Sequence, residues 1–508
     1  MVWRWLRLPL VLLAVTLATL PALHNEFVWD DLALIVESDF IYDPANLGHV
    51  FGVDTMFAAD GGKFQAQAQL DTYRPVTIAT FFLDASMAGK EPFFFHLNNM
   101  LAHLICVALV YFLALRLLPE TRRTAAVWAA LWFGLHPLLG EAHVWINGRS
   151  DLWCTLFGLS GILVWLRARG TSPGGRSALL HGVSALLFLL GLLSKETLLP
   201  ALAVFWLWDL GVFVRPLKEL ERSRTVLLRT LAIWLPVGLY LALRGRALQG
   251  MHVSAGGTQL GLALERLPVL ILDGLVSALA PTMVMPRYLA EEYARLSPPQ
   301  LFACAAALAA FGALVWLRRQ HWPLGAFAAT WFTAVLGPAC LIATLQWYGF
   351  NRYLYLPLTL LSIALADALG FAFEGLRART SPTVVRMCQV SVGLYLLMFG
   401  VRLLDSVNHW NGSIPFYSQI IAEQPQASHG YGGLGKLLVE QGRPDLALEP
   451  LQRAVELNAG DSRYLNNLGI AYLRLGRGKD AFAIAKRGQR LFPDLPKFVR
   501  LEQQASQL

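Results

Sequence analysis

Residues 8–31 read LPLVLLAVTLATLPALHNEFVWDD, an apolar run that is followed at once by two adjacent carboxylates, Asp30 and Asp31. The run at 8–23 approaches the ~20 residues that a helix needs to cross the hydrocarbon core of a bilayer. Neighbouring carboxylates raise each other's pKa and lose solvation near a membrane, so the pair is costly there. The pair predicts a functional site at the membrane edge. The alternative is a solvated loop start with a helix-capping acid.

The composition indicates a membrane protein. The 508 residues are 56% hydrophobic and 15% charged, with a mean hydropathy of +0.48, whereas soluble domains carry roughly 25% charged residues. The net charge of +8 is spread between apolar runs, so we expect no nucleic-acid partner. Apolar runs continue to residue 404 and stop there, which predicts a membrane domain at 1–404 and a soluble helical domain at 405–508. The first run lacks a good cleavage site at 20–24, so we interpret it as an uncleaved anchor.

The basic residues between the apolar runs predict the topology, because cytoplasmic loops carry an excess of Lys and Arg. Basic groups lie at 4–7, 116–123, 167–176, 215–229, 318–319 and 377–386. Placing them all inside gives about 11 crossings, near 6–23, 94–118, 124–140, 151–167, 178–193, 197–213, 229–244, 301–317, 323–345, 352–374 and 387–404. The stretch 262–280 is interpreted as a helix in the external interface, with a twelfth crossing as the alternative.

The final hundred residues contain a repeat. Leu434-Gly435, Ala447, Leu451 and Ala454 match Leu468-Gly469, Ala481, Ala485 and Gly488 at a constant offset of ~34 residues, the tetratricopeptide period. Its small residues let two antiparallel helices approach closely. We expect about 2–3 repeats, with 410–424 as a leftover helix at one end. So short an array is expected either to lean on the membrane domain or to end in a capping helix at 497–507.

Further polar residues flank the predicted external ends of the membrane helices. A random scatter would distribute them over both faces, whereas ionisable groups at membrane depth are typical of functional sites. The candidates are Arg74, His96, His136, Glu141, Arg149, Asp151, Lys195, Glu196, Arg352 and Tyr353.

Each candidate also has a structural explanation. Lys195 and Glu196 could be a helix-end pair, and Glu141, Arg149 and Asp151 could hold a turn together. Arg352 could extend to lipid headgroups. No metal-ligand spacing stands out. The nearest set is His136 with Glu141 and His143, so no metal is expected to be required and a divalent ion stays an alternative.

The order of these motifs resembles the transmembrane and tetratricopeptide repeat-containing O-mannosyltransferases, and more broadly the C-type (GT-C) glycosyltransferases. The motifs are Phe-Val-Trp-Asp-Asp at 27–31, Tyr-Arg-Pro at 73–75, Phe-His-Leu-Asn-Asn at 95–99, His-Pro at 136–137, Glu-Ala at 141–142, Gly-Arg-Ser-Asp at 148–151, Lys-Glu at 195–196 and Arg-Tyr-Leu-Tyr-Leu-Pro at 352–357. The resemblance implies an all-α, polytopic fold followed by a small repeat domain. The tail has fewer repeats than animal members, and residues 250–300 match only loosely.

The resemblance also implies a reaction. A sugar, expected to be mannose, would pass from a polyprenyl-phosphate donor to a hydroxyl of a protein or peptide that the repeat domain binds. One of Asp30 and Asp31 would act as general base, and Arg74, Arg149, Lys195 and Arg352 would stabilise the charge on the leaving phosphate.

The expected location is a bacterial inner membrane, with the amino terminus cytoplasmic and the repeats extracytoplasmic. A non-catalytic scaffold whose repeats recruit envelope proteins is the alternative function, and a lipid-linked-sugar carrier is a third. Neither the sugar, the acceptor nor the oligomeric state follows from the sequence.

Overall fold

A computed structural model describes residues 2–52, 72–172, 174–215, 224–248, 257–288, 296–346, 348–349 and 351–508. The basic residues predicted to be cytoplasmic at 216–223 lie outside these ranges. Contacts within the chain form two units. One contains the described residues of 2–284 and 296–408, and the other contains 285–288 and 409–508. We describe each unit by itself.

The described part of the chain is almost entirely helical, as the sequence predicts. The α-helices of the first unit are α1 Val2–Thr19, α2 Pro75–Ala88, α3 Pro92–Leu117, α4 Ala126–Gly134, α5 Gly140–Val144, α6 Arg149–Arg169, α7 Gly175–Ser194, α8 Leu198–Asp209, α9 Arg224–Ala247, α10 Gly257–Leu279, α11 Pro298–Arg318, α12 Pro323–Gln346, α13 Tyr355–Arg379 and α14 Pro382–His409. Short 3-10 or π turns lie at Leu20–His24, Leu32–Val36, Phe40–Tyr42, Pro44–Phe51, Glu120–Ala125, Pro137–Leu139, Ile146–Gly148 and Asn351–Leu354. Two strands of two residues are Arg287–Tyr288 and Tyr348–Gly349.

In the described ranges, 8 helices are long and apolar enough to cross a membrane, which agrees with a multi-pass protein. They are Leu6–His24, Pro92–Leu117, Ile146–Arg169, Gly175–Ser194, Pro298–Arg318, Pro323–Ile342, Asn351–Arg379 and Pro382–His409. The expected number of about 11 is not confirmed.

Three of the predicted crossings differ from the structure. The predicted crossing at 124–140 contains a helix of only 9 residues, α4, because Pro137 disfavours helical geometry at the residue before it. The crossing predicted at 197–213 ends early at Asp209, before Gly211 with its positive φ of 86°. The third predicted crossing, 229–244, lies inside α9. The stretch 262–280, interpreted from the sequence as an interfacial helix, overlaps most of α10. Neither helix is among the 8.

Proline positions several helix starts, because its fixed φ and missing N–H suit the first turn. Pro75 starts α2 and leaves Arg74 just outside it, and Pro92 starts α3 in the same way. Further candidate residues lie at other helix ends: Lys195 directly follows α7, and Arg352 lies in the turn that leads into α13. The fold therefore places the candidate side chains at helix ends.

The second unit contains the predicted repeats. Its helices are α15 Ser413–Glu423, α16 Ser428–Glu440, α17 Pro444–Leu457, α18 Ser462–Arg474, α19 Gly478–Leu491 and α20 Lys497–Ala505. The matching glycines are required by close packing, because a Cβ on Gly435 would lie 2.5 Å from Leu451 and one on Gly469 would lie 2.3 Å from Leu501. Phe498 and Leu501 of α20 are buried in the same core. This confirms both the repeat pattern and the capping helix.

Candidate active site

The two adjacent acids have different surroundings. Asp31 is fully buried, and its carboxylate accepts hydrogen bonds from the backbone N–H groups of Val28 at 3.3 Å and Asn147 at 3.1 Å. Asp30 is partly exposed, and no hydrogen bond to its carboxylate is found within the described ranges. Asp31 thus fixes the loop, whereas the carboxylate of Asp30 is open to a ligand.

A tryptophan pair lies beside the acids. Trp29 has a positive φ of 56°, which is unusual for a bulky residue. Its ring stacks on the ring of Trp145 with 4.9 Å between centroids, and the guanidinium of Arg352 lies 4.4 Å from the Trp145 ring. The aromatic ring attracts the cation and limits the positions that Arg352 can take.

A cluster of alternating cations and carboxylates surrounds Arg352. Its Nη1 lies 3.8 Å from Glu141 and its Nε lies 3.8 Å from Asp151. Lys195 donates to both oxygens of Asp151 at 2.6 Å. The other oxygen of Glu141 accepts the backbone N–H of Asn351 at 3.0 Å. These groups come from α5, α6, the end of α7 and the turn before α13.

Arg74 and Glu196 form the accessible part of the cluster. Arg74 donates two hydrogen bonds to Glu196, at 2.7 and 3.3 Å. Their side chains are 18% and 27% exposed, whereas Lys195 is 1% exposed. The ring of Tyr353 lies 4.9 Å from the Lys195 ammonium and 5.7 Å from the Arg352 guanidinium. Arg352 is 13% exposed, so an anion from solvent would reach Arg74 and Arg352 before Lys195.

Burial and charge shift the pKa values of these carboxyl groups. Burial raises the pKa of Asp30 to about 6, although Arg352 partly opposes it. The pKa of Asp31 is raised well above its ordinary value by burial, with a smaller contribution from Asp30. Burial raises the pKa of Glu141 to about 7. For Glu196, burial would raise the pKa, but the charge and hydrogen bonds of Arg74 hold it at about 2.

Three of the predicted residues lie apart from this cluster. Arg149 is fully buried, forms an ion pair with Asp84, and donates at 2.7 Å to Asn99 Oδ1 and to the carbonyl of Phe95. His96 is buried beside the backbone of residues 25, 26 and 144. His136 pairs through Nε2 with the carbonyl of Ala278 at 2.8 Å. The contacts of Arg149 join α6 to α2 and α3, and the contact of His136 joins the segment before α5 to α10.

The structure brings together Glu141, Asp151, Lys195, Arg352 and Tyr353, with Arg74 and Glu196 at the accessible side. The charge of Arg352 also reaches Asp30. Lys195 and Glu196 each have another partner, so they are not a simple helix-end pair. Sequence reasoning missed Trp145, which supports Arg352, and Asp84, which binds Arg149. Asp84 is an acid inside the apolar helix α2, and that position alone could have indicated it. Among the described residues, no group of three His, Cys, Asp or Glu side chains could hold a metal ion.

Comparisons with known proteins find one family model and several similar chains. A family model described as a tetratricopeptide repeat matches residues 433–496. The chain is 28% identical over 144 residues to human protein O-mannosyl-transferase TMTC3. The matched region covers 28% of this chain and 15% of that protein. It is 30% identical over 207 residues to human TMTC4, covering 37% and 27% respectively. It is 34% identical over 162 residues to Drosophila melanogaster Tmtc2, covering 30% and 17%.

The match therefore spans 15% to 27% of the length of these relatives. No solved structure gives a significant match. Over part of its length the chain is similar to the transmembrane and tetratricopeptide repeat-containing O-mannosyltransferases, the family that its sequence resembles.

Proposed function

We propose that the chain is an integral-membrane glycosyltransferase. It transfers a sugar, mannose by analogy with its relatives, from a polyprenyl-phosphate donor to a hydroxyl of a protein on the extracytoplasmic side. One observation carries this proposal: burial raises the pKa of the partly exposed Asp30 to about 6, and the charge of Arg352 reaches Asp30 strongly enough to oppose that rise. A base with a pKa near the working pH and a nearby cation are what this reaction requires.

Asp30 is the general base in this proposal. The acceptor oxygen attacks the anomeric carbon of the sugar, its proton passes to the Asp30 carboxylate, and the bond from that carbon to the phosphate oxygen breaks. The electron pair of that bond leaves with the polyprenyl phosphate, which gains one negative charge. Asp31 fixes the loop through Val28 and Asn147, so that Asp30 keeps its position.

Arg352 and Arg74 stabilise the charge that develops on the leaving phosphate. An arginine fork binds two phosphate oxygens at once. Each arginine already lies beside a carboxylate, Glu141 or Asp151 for Arg352 and Glu196 for Arg74. These carboxylates orient the cations before the donor arrives, and the phosphate competes with them for the same N–H groups.

The proposed orientation follows the distribution of basic residues. It places the amino terminus in the cytoplasm and the catalytic cluster with the repeats outside it, in a bacterial inner membrane. The repeats would bind the acceptor, because a small stacked-helix array offers a curved surface for peptides.

The test uses the purified full chain with a short-chain polyprenyl-phosphate mannose and a serine- or threonine-containing peptide. Transfer by the wild type and its loss in Asp30→Asn are expected. If the wild type transfers no sugar from any polyprenyl-phosphate donor, the proposal fails. If Asp30→Asn is folded and fully active, the assignment of the base fails and the scaffold function gains support.

A further inference from the structure

A buried histidine outside the cluster contacts two of the segments that carry or adjoin cluster residues. His103 lies in α3 and is fully buried. Its Nδ1 lies 2.7 Å from the hydroxyl of Tyr355, and its Nε2 lies 3.1 Å from the carbonyl oxygen of Gly134. Its ring also stacks on the ring of His143, with 4.1 Å between centroids and 19° between planes.

These contacts fix the direction of the hydrogen bonds. A carbonyl oxygen only accepts, so Nε2 carries a proton and donates to Gly134. No carboxylate contacts the ring within the described ranges, and an isolated buried charge is costly, so the ring is neutral. Nδ1 then accepts, and the hydroxyl of Tyr355 donates to it.

The position of Tyr355 gives this bond a consequence for the cluster. The turn Asn351–Leu354 carries Arg352 and Tyr353, and α13 begins at Tyr355. The start of the turn is held by Glu141, which accepts the N–H of Asn351 at 3.0 Å. Its end is held by His103 through Tyr355. Since His143 lies in the same short helix α5 as Glu141, His103 contacts the helix that holds the start of the turn as well as the residue at its end.

We propose that His103 and Tyr355 are positioning residues that fix the location of Arg352 in the catalytic cluster. This inference rests on the proposed function. Neither residue touches the substrate. They act through Arg352, whose geometry matters most in the transition state, where charge develops on the leaving phosphate. A misplacement of about 1 Å can cost on the order of 100-fold in rate.

The test is Tyr355→Phe, which removes only the hydroxyl, made in the wild type and in Arg352→Lys. In the wild type we expect turnover to fall about 10- to 100-fold, with donor affinity changed by less than about 3-fold. In the Arg352→Lys background the same change should cost less than about 3-fold, because residues that act as a unit are not additive. Tyr395→Phe is the matched control: it removes a tyrosine hydroxyl that donates to the carbonyl of Leu279, and it should leave turnover unchanged.

A second pair of variants covers the case in which Tyr355→Phe does not fold. His103→Asn keeps an acceptor where Nδ1 lies and should retain more turnover than His103→Leu. An equal loss from Tyr355→Phe in both backgrounds, or no loss in the wild type, overturns the inference, as does equal turnover of the two His103 variants. A wild type without transfer activity rejects the proposed function and this inference together, whereas an active wild type with an unaffected Tyr355→Phe rejects the inference alone.

Discussion

The carboxylate of Asp31 accepts the backbone N–H of Asn147 at 3.1 Å, across 116 positions of the chain. This bond joins the first loop to the turn that precedes α6. Asp30, its neighbour, has no such role among the described residues and stays partly exposed. The adjacent acids, which are equivalent in sequence, therefore have different tasks.

The first prediction separates the two acids by substitution. Asp30→Asn should fold normally and lose about 10²- to 10⁴-fold in turnover, because the general base is gone. Asp31→Asn keeps only one acceptor oxygen for two backbone donors, and should lower the free energy of unfolding by about 1–3 kcal/mol. Thermal unfolding and turnover of both variants in the same detergent measure these effects. The reverse pattern, an unstable Asp30→Asn and a stable but inactive Asp31→Asn, would assign the base to Asp31.

The second prediction concerns pH. A general base works only when it is deprotonated, so turnover should rise with pH and reach half of its plateau near pH 6, the raised pKa of Asp30. The same shift affects stability: between the ordinary pKa of 3.8 and about 6, the folded state binds more protons at Asp30 than the unfolded state. Asp30 therefore contributes less to stability as pH rises through that window.

The control for this pH profile is Glu141→Gln. Burial raises the pKa of Glu141 to about 7, so this residue is the competing origin for an acid limb. If Asp30 is the base, Glu141→Gln keeps the limb near pH 6 even when its plateau is lower. Disappearance of the limb in Glu141→Gln would transfer the titration to Glu141.

The third prediction concerns the donor phosphate. Arg352→Ala should cost roughly 1.5–3 kcal/mol of donor interaction, or ~10- to 150-fold in donor use, as expected for one charge-assisted contact. Arg352→Lys keeps the charge and loses the planar fork, so its loss should be partial. Arg74→Ala should behave like Arg352→Ala.

Donor affinity and turnover with a water-soluble short-chain polyprenyl-phosphate sugar measure these losses. Arg453→Ala serves as the control, because Arg453 forms an exposed ion pair with Glu456 in the repeat unit. If Arg352→Ala matches this control, Arg352 does not contact the phosphate and the proposed phosphate site must be rebuilt around Arg74 and Lys195.

The sequence predicts the helices better than their interruptions. Apolar runs locate the long membrane helices because hydrocarbon thickness sets their length. The broken segment at 124–140 depends on Pro137, whose effect on the preceding residue follows from the sequence alone. Gly134 at the end of α4 packs closely as well, since a Cβ there would lie 2.6 Å from Val15. That contact depends on the tertiary fold and could not be predicted.

The site shows the same division. The predicted topology puts Arg74, Lys195 and Arg352 at one membrane face, but it does not predict their partners. Arg74 pairs with Glu196 across 122 positions of the chain. Lys195 pairs with Asp151 and not with Glu196, its neighbour in the sequence. Such pairings depend on helix packing, for which a single sequence holds no pairwise signal. The support that Trp145 gives to Arg352 is unpredictable for the same reason.

The fourth prediction concerns the repeat unit. A reporter fused after Leu508 should be active only outside the cytoplasm, because the basic residues predict an extracytoplasmic tail. Deletion of the repeats should reduce transfer to protein acceptors more than transfer to a short peptide at saturating concentration. A reporter that is active in the cytoplasm would overturn the topology. An external tail whose deletion leaves protein glycosylation intact would remove only its role with acceptors.

The last prediction tests Arg149, which the sequence suggests for the phosphate site and the structure places against Asp84. Breaking a buried ion pair leaves an uncompensated charge, so Arg149→Met should lower the free energy of unfolding by about 3–5 kcal/mol. The double variant Arg149→Met with Asp84→Leu should recover most of that loss, because an apolar pair of similar size often replaces a buried ion pair at little cost. Thermal unfolding of the wild type, the single variant and the double variant gives the answer. If the role of Arg149 is structural, the folded double variant should bind the short-chain donor with near wild-type affinity, because no phosphate contact has been removed. If Arg149→Met instead unfolds like the wild type and loses donor affinity, Arg149 belongs to the phosphate site as its sequence motif suggests.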